Sequence, residues 1–293
     1  MANPGPRVGL ILGGGGVVGV AWELGVLAAI TSDAGWNPAS ASVIAGTSAG
    51  SLAGAITALG RDLPAIAARR TAGVTMPDAS AGPARPAATS AISAELLELM
   101  RPGTATVAER ARAVGRIARA AQPAMDESAY RGFIGSSLPA EWPAGDLRLT
   151  TVDCETGETV LLDRGSGMDL IDAVAASCAV PTYFPTVQHK GRHFTDGPRG
   201  PYIAALADEL GLNAIVFVGL RLPFTAGADE HAELDTLAAR GMPVARITDG
   251  PAFAAAGSDL MDPAAAAVGT LIGLADGRNG AGAVRRVLAA ASA

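Results

Sequence analysis

The chain is short of cysteine, histidine, aromatic rings and positive charge, and each shortage closes off a class of function. Two cysteines, Cys154 and Cys178, are too few for a disulfide framework. A reducing, cytoplasmic setting is the simplest expectation. Three histidines (His189, His193, His231) show no H-E-x-x-H spacing, and no C-x-x-C occurs, so neither a metal nor a cofactor is expected. The net charge of −6 argues against an electrostatic nucleic-acid binder, which needs a basic face. Aromatics make up only 4% of residues, so small aliphatic side chains must build the core. A transmembrane helix is not expected either. The apolar run 263–275 is too short for a bilayer and sits between Asp262 and Asp276.

What is abundant is apolar bulk and glycine. Of 293 residues, 49% are apolar and 37 are glycine. That is enough for a large core, and the length fits one α/β domain with insertions. Residues 8–12 (VGLIL) read as a buried strand. Four glycines, Gly13 to Gly16, follow it. Helix-period apolar residues come next (Val18, Trp22, Leu24, Val26, Leu27, Ile30) and stop before Gly35. Arg7 ahead of this run imitates a secretion signal. Four glycines would make a poor helical signal core, so a folded first strand is preferred.

A second strand is expected at Ser42–Ala45, a sharp turn at Gly46–Gly50 and a helix at Ser51–Leu59. Another helix follows over Asp62–Gly73. Residues 74–92 read as a Pro-, Ala- and Ser-rich loop, and 93–137 as three helices. Strand signals return at 147–154 and 159–163, then an apolar helix at 168–180 ended by Pro181. A hairpin at 186–197 and a buried strand at 213–220 complete the pattern. The expected architecture is a three-layer α/β/α fold with a mainly parallel sheet, in a single domain. Its core would span about 6–73 and 145–222, with a helical insertion at about 74–144 and an Ala-rich helical segment at about 224–293.

Candidate chemistry centres on GTSAG, residues 46–50, which fits G-x-S-x-G. Small residues around Ser48 let the backbone bend sharply between strand and helix and push the hydroxyl into the open. The bland reading of Ser48 is a helix N-cap. A nucleophilic serine needs a base and an oxyanion hole. One candidate base is His231, in a polar segment where a solvated histidine is the simpler reading. The other is Asp196 in FTDGP, which alone could be a plain turn aspartate.

Taken in order, LGGGGVVG, GTSAG, AASCAVPTYFP and GRHFTDGP resemble the patatin-like phospholipase family. The resemblance covers about residues 8–60 and 145–220. It implies a Ser–Asp dyad, with Ser48 as nucleophile and Asp196 as base. It also implies an oxyanion hole from the backbone N–H groups of Gly14, Gly15 and Gly16. Gly19, Gly46, Gly50 and Gly197 would support these motifs. The implied substrate is a lipid or acyl ester, with peripheral membrane contact. Two positions depart from the family pattern. Val18 stands where the family's glycine loop usually has Arg or Lys, which shifts the expectation towards a neutral ester or a weaker enzyme. Pro198 stands where Gly or Ala usually follows Asp-Gly.

Other readings compete. Gly14, Gly16 and Gly19 also fit a dinucleotide fingerprint, but the second strand ends without the acid that would hold a ribose. Arg112, Arg116 and Arg119 share one helix face that could meet anionic lipid, or simply be solvated. Cys178 reads as a core residue rather than a nucleophile. A catalytically weak scaffold that binds lipid or a partner protein is the remaining alternative.

Overall fold

The computed structural model describes residues 5–75, 94–101, 105–222, 226–256 and 259–292. The loop expected at 74–92 lies almost wholly outside them. Eight strands form one sheet: β1 (Val8–Leu12), β2 (Val43–Thr47), β3 (Leu147–Asp153), β4 (Thr159–Leu162), β5 (Val187–His189), β6 (Arg192–Thr195), β7 (Ala214–Val218) and β8 (Val244–Ile247). Their order is β5-β6-β3-β2-β1-β7-β8, and β4 pairs with β3 off this path. Strands β3, β2, β1, β7 and β8 are mutually parallel, while β4 and β6 run against β3.

Side-chain alternation along the strands sorts the core into two layers. Leu10, Leu12, Ile44, Val216 and Val218 belong to one apolar cluster. Their strand neighbours Ile11, Val43, Ala45, Ile215 and Phe217 belong to the other. The first cluster packs under α1 (Gly16–Ala29), α2 (Ala49–Ala58), α7 (Leu170–Cys178) and α11 (Ala266–Ala291). The second packs under α8 (Ile203–Leu210) and α9 (Ala226–Ala239). This is the three-layer arrangement expected from VGLIL, VIAGT and AIVFV, runs apolar enough to be covered on both faces.

The remaining helices are α3 (Leu63–Thr71), α4 (Ala94–Met100), α5 (Val107–Ala120), α6 (Glu127–Gly135) and α10 (Pro251–Ala256). α5 opens with a capping box between Thr106 and Glu109 and packs on β3 and β6. Of the three arginines on one face of α5, Arg116 is exposed and the other two are engaged. Arg112 donates to the Thr156 carbonyl and Arg119 pairs with Glu155, so both close over the β3–β4 turn.

The region after residue 224 is not purely helical. It contains β8, which extends the sheet beside β7, and then α11. The segment Gly16–Ala34 has the length and apolarity of a membrane span, yet it is the central helix of this fold. It lies along α11, and Trp22, fully buried, donates its indole N–H to Asp276 at 2.9 Å. The two backbones approach so closely that a Cβ on Gly273 would sit 2.0 Å from the Trp22 carbonyl oxygen. Gly273→Ala must therefore part the helices. The expected loss is about 1–3 kcal/mol, read as a lower denaturant midpoint at unchanged m.

Candidate active site

Loops at the C-terminal ends of parallel strands are where α/β folds hold ligands. Here β1 ends in the glycine run and β2 ends in Ser48. The partners on β3 show how Asp196 joins them. Thr47 of β2 pairs with Thr150, and Thr195 of β6 pairs with Val152. Thr150 and Val152 have their opposite edge filled by Leu161 and Thr159 of β4, so β2 and β6 share one edge of β3. They run in opposite senses and meet head to head, two β3 residues apart, about 7 Å. The chain leaves the sheet at Ser48 on one side of that junction and at Asp196 on the other.

Ser48 carries a positive φ of 52° with ψ −113°. A non-glycine residue there is strained, and such strain is held only where the surroundings demand it. Ser48 occupies the N-cap position of α2, but its side chain makes no capping bond. That removes the bland reading of this serine. The hydroxyl has no hydrogen-bond partner among the described residues, and Ser48 lines a pocket. Gly50 makes the turn possible, because a Cβ there would lie 2.4 Å from the Leu12 carbonyl oxygen. Its N–H donates to the Gly13 carbonyl at 2.9 Å, tying the turn to the glycine run. A Cβ on Gly46 would likewise meet the Gly50 carbonyl oxygen, at 2.3 Å.

The glycine run curls over Ser48. Gly14 lies against it, with an added Cβ 3.8 Å from the Ser48 Cβ. The N–H groups of Gly14, Gly15 and Gly16 have no acceptor among the described residues. Gly16 has φ +63° and sits under the Leu260 carbonyl. Gly19 lets α1 approach Ala49 of α2. Val18 faces away from the pocket. It is buried, its N–H donates to the Leu260 carbonyl at 3.0 Å, and its side chain lies against Gly269 of α11. A cation at position 18 would be buried against that helix, which accounts for the apolar residue.

Three consecutive residues at the end of α7 brace both candidate residues. Ser177 Oγ accepts the Ser48 N–H at 3.0 Å and bonds Ser51 Oγ at 2.6 Å. The Cys178 thiol donates to the Ser48 carbonyl at 3.0 Å. The Ala179 carbonyl accepts the Asp196 N–H at 3.0 Å and the Thr195 hydroxyl at 2.8 Å. This is the physical content of the Ser-x-Ala-x-Pro stretch ahead of the hairpin. Burial, followed by the charge of Asp196, pushes the Cys178 thiol well up, so it stays protonated as a structural donor.

Asp196 is buried, and its carboxylate is held on one side. Oδ1 accepts the Gly197 N–H at 2.9 Å and Arg199 Nη1 at 2.7 Å. Oδ2 has no hydrogen-bond partner among the described residues, and no bond joins it to Ser48 Oγ. Catalytic bonds of this kind often close only with substrate bound. Arg199 was not singled out by sequence, because an arginine in a turn reads as solvent-exposed. His231 lies elsewhere: its ring packs edge-on against Phe217 of the other core layer, at 5.2 Å between centroids, with Nε2 buried and unpartnered. Among the described residues, no group of three or more His, Cys, Asp or Glu is placed to hold a metal.

The pocket above Ser48 has a volume of about 180 Å³. Val17, Val20, Leu52, Val180, Phe184 and Met261 form much of its wall. Tyr130 stacks on Phe184 at 4.5 Å and turns its hydroxyl to the Ala175 carbonyl. Phe133 lies at the rim and is 49% exposed. Among the described residues, Arg70 is the one charged residue lining it.

The family model for patatin-like phospholipases matches residues 10–198. That is nearly two thirds of the chain and includes every sequence-picked site residue.

The chain belongs to the patatin-like phospholipase family.

Family membership places it among lipid hydrolases. The match stops one residue short of Arg199, and β7, β8, α11 and Met261 also lie beyond it. No curated protein matches the chain. Among solved structures, VipD from Legionella pneumophila is similar at 14% identity and a TM-score of 0.48, over 97% of this chain and 67% of that one. The type III effector ExoU is similar at 19% identity and a TM-score of 0.43, over 97% of this chain and 54% of that one. The chain thus spans about half to two thirds of these neighbours' lengths.

Behind this patatin-like site lies a buried acid pair. Burial, and then the neighbouring Glu230, hold the Glu23 carboxyl well above the ordinary range, outweighing the lowering effect of the Gly13 backbone. Glu230 is pushed up to about 7, chiefly by burial. Its carboxyl accepts the Tyr202 hydroxyl at 3.3 Å. A carboxyl with a raised folded-state pKa stabilises the fold fully below its unfolded value near 4.5 and loses that contribution as pH rises through about 7. The loss is on the order of 3 kcal/mol. Between pH 5 and 7.5, Glu230→Gln is expected to lose less stability than the native chain, in urea melts at each pH. A parallel decline in both would rule this out.

Proposed function

We propose that this protein is a serine acyl hydrolase that cleaves carboxylic esters carrying one apolar chain. The observation that carries the reading is the free Ser48 hydroxyl, held on a strained strand-to-helix turn between unbonded glycine N–H groups and the Asp196 loop. In this reading the turn is a nucleophile elbow and the glycine run an oxyanion hole.

The acyl chain occupies the apolar pocket, with the ester carbonyl over Ser48. Ser48 Oγ attacks the carbonyl carbon while its proton passes to Asp196 Oδ2. The carbonyl oxygen gains negative charge and takes hydrogen bonds from two or three of the Gly14, Gly15 and Gly16 N–H groups. Each such donor is worth roughly 3 kcal/mol in the transition state. The tetrahedral species collapses, the C–O bond to the alcohol breaks, and Asp196 returns the proton to the leaving oxygen. Water then attacks the acyl-Ser48 carbonyl, again giving a proton to Asp196; the bond from the acyl carbon to Ser48 Oγ breaks, Asp196 returns that proton to Oγ, and the acid leaves. The half-exposed Phe133 at the rim supports contact with a lipid surface. Two unpaired cysteines accord with a cytoplasmic setting.

The test is hydrolysis of p-nitrophenyl esters from acetyl to palmitoyl. The native chain is expected to turn over and to prefer medium or long chains over acetyl by about tenfold or more, since each buried methylene adds about 0.8 kcal/mol. Binding of acyl chains with no turnover of any ester or phospholipid would instead identify a lipid-binding scaffold.

A further inference from the structure

We propose that Arg199 is a positioning residue that fixes the rotation of the Asp196 carboxylate, so that one oxygen is committed and the other is presented to Ser48. The proposal rests on the Ser48–Asp196 reading above.

The geometry is specific. Arg199 is buried at 5% exposure, and its Nη1 lies 2.7 Å from Asp196 Oδ1. The Gly197 N–H meets the same oxygen at 2.9 Å. Two donors on Oδ1 and none on Oδ2 set the plane of the carboxylate. A free aspartate side chain would rotate, and its oxygens would exchange. Pro198 sits between donor and acceptor and fixes φ in the turn that brings Arg199 back onto Asp196. The unusual Asp-Gly-Pro-Arg sequence therefore has one consistent role: it folds a cation onto the base from within its own loop.

Among the described residues, Arg199 is the charged side chain that meets the Asp196 carboxylate. The other groups around the loop do not compete for this part. Tyr130 on α6, Cys178 on α7 and Tyr202 before α8 are held uncharged by burial. Glu23 on α1 is kept protonated in the same way. Glu230 on α9, with its value near 7, is neutral at acid pH. Glu233, also on α9, is spent on the N–H groups of Tyr202 and Ala204. Arg199 keeps its charge throughout, its pKa raised by Asp196 and Glu230 despite burial.

The experiment measures kcat and KM of p-nitrophenyl ester hydrolysis for Arg199→Met and Arg199→Lys, with melting curves for both. In Arg199→Met, kcat is expected to fall about 100-fold, as misplacement of a catalytic group does. KM should change little, because the apolar pocket that takes the acyl chain is untouched. Arg199→Lys keeps the charge but loses the planar fork. Its kcat should fall about tenfold, less than in Arg199→Met, with KM little changed. If Arg199→Met proves unfolded, the lysine variant still decides, because native kcat in Arg199→Lys would overturn the proposal. So would a folded Arg199→Met with native kcat. An inactive Asp196→Asn beside either of those results would leave the dyad standing and remove only Arg199's role. A fully active Asp196→Asn would remove both.

Discussion

Replacing Ser48 by alanine is expected to lower kcat by roughly 10⁶-fold, to the detection limit of an ester assay, while the protein stays folded. The size follows from what the hydroxyl does. In the proposed mechanism it forms the covalent bond that divides one difficult hydrolysis into two easier steps. Cys178 is nearby, but its thiol is bonded to the Ser48 carbonyl and kept protonated by burial. The fold should tolerate the change because the Ser48 hydroxyl makes no capping bond to α2. The supports of the turn use backbone instead: the Ser48 N–H to Ser177 and the Ser48 carbonyl to Cys178 and Ser51. A strained φ of 52° is no easier for alanine than for serine, so a slight loss of melting temperature is expected, read by circular dichroism. Substantial residual turnover in folded Ser48→Ala would place the chemistry on another residue.

The second large effect belongs to Asp196. Asp196→Asn keeps the shape of the side chain and still offers an oxygen to Gly197 and Arg199, but it has no basic oxygen for the Ser48 proton. The expected loss is about 10²–10⁴-fold in kcat, the range that a general base supplies. It also leaves Arg199 buried without its carboxylate partner at 2.7 Å, so some stability is lost as well. The two effects are read separately, the lost base as kcat of the folded protein and the loosened fold as its melting temperature. His231→Ala is the control, since His231 packs on Phe217 in the other core layer and should change kcat little.

The sequence makes some of this legible and hides the rest. Strands β1, β2 and β7 are readable because parallel strands covered on both faces must be short, unbroken apolar runs. The turn at Ser48 is readable because a sharp bend admits only small residues, and the structure shows carbonyl oxygens under 2.5 Å from any Cβ placed at Gly46 or Gly50. Strand β8 was not readable. Its four residues, VARI, put only Ala245 and Ile247 into the core, too little alternation to stand out in an alanine-rich stretch. Arg199 was hidden for a related reason, since nothing local to a Pro-Arg-Gly turn says that the fold will bury it beside Asp196. The approach of Ser48 to Asp196 depends on β2 and β6 meeting head to head along β3, which is a property of topology and leaves no local signature. Val18 shows the opposite limit. Its departure from the family pattern was plain in the sequence, but its cause is contact with Gly269, some 250 residues away in the chain.

The most direct test of the account is to find the residue that becomes acylated. The protein would be treated with a long-chain alkyl fluorophosphonate, digested and analysed by peptide mass spectrometry, with Ser48→Ala treated in parallel. The account predicts one adduct per chain, on Ser48, blocking ester hydrolysis in proportion to its extent and absent from the alanine variant. Labelling at another residue that abolishes activity, or hydrolysis that persists in fully Ser48-labelled protein, would contradict it.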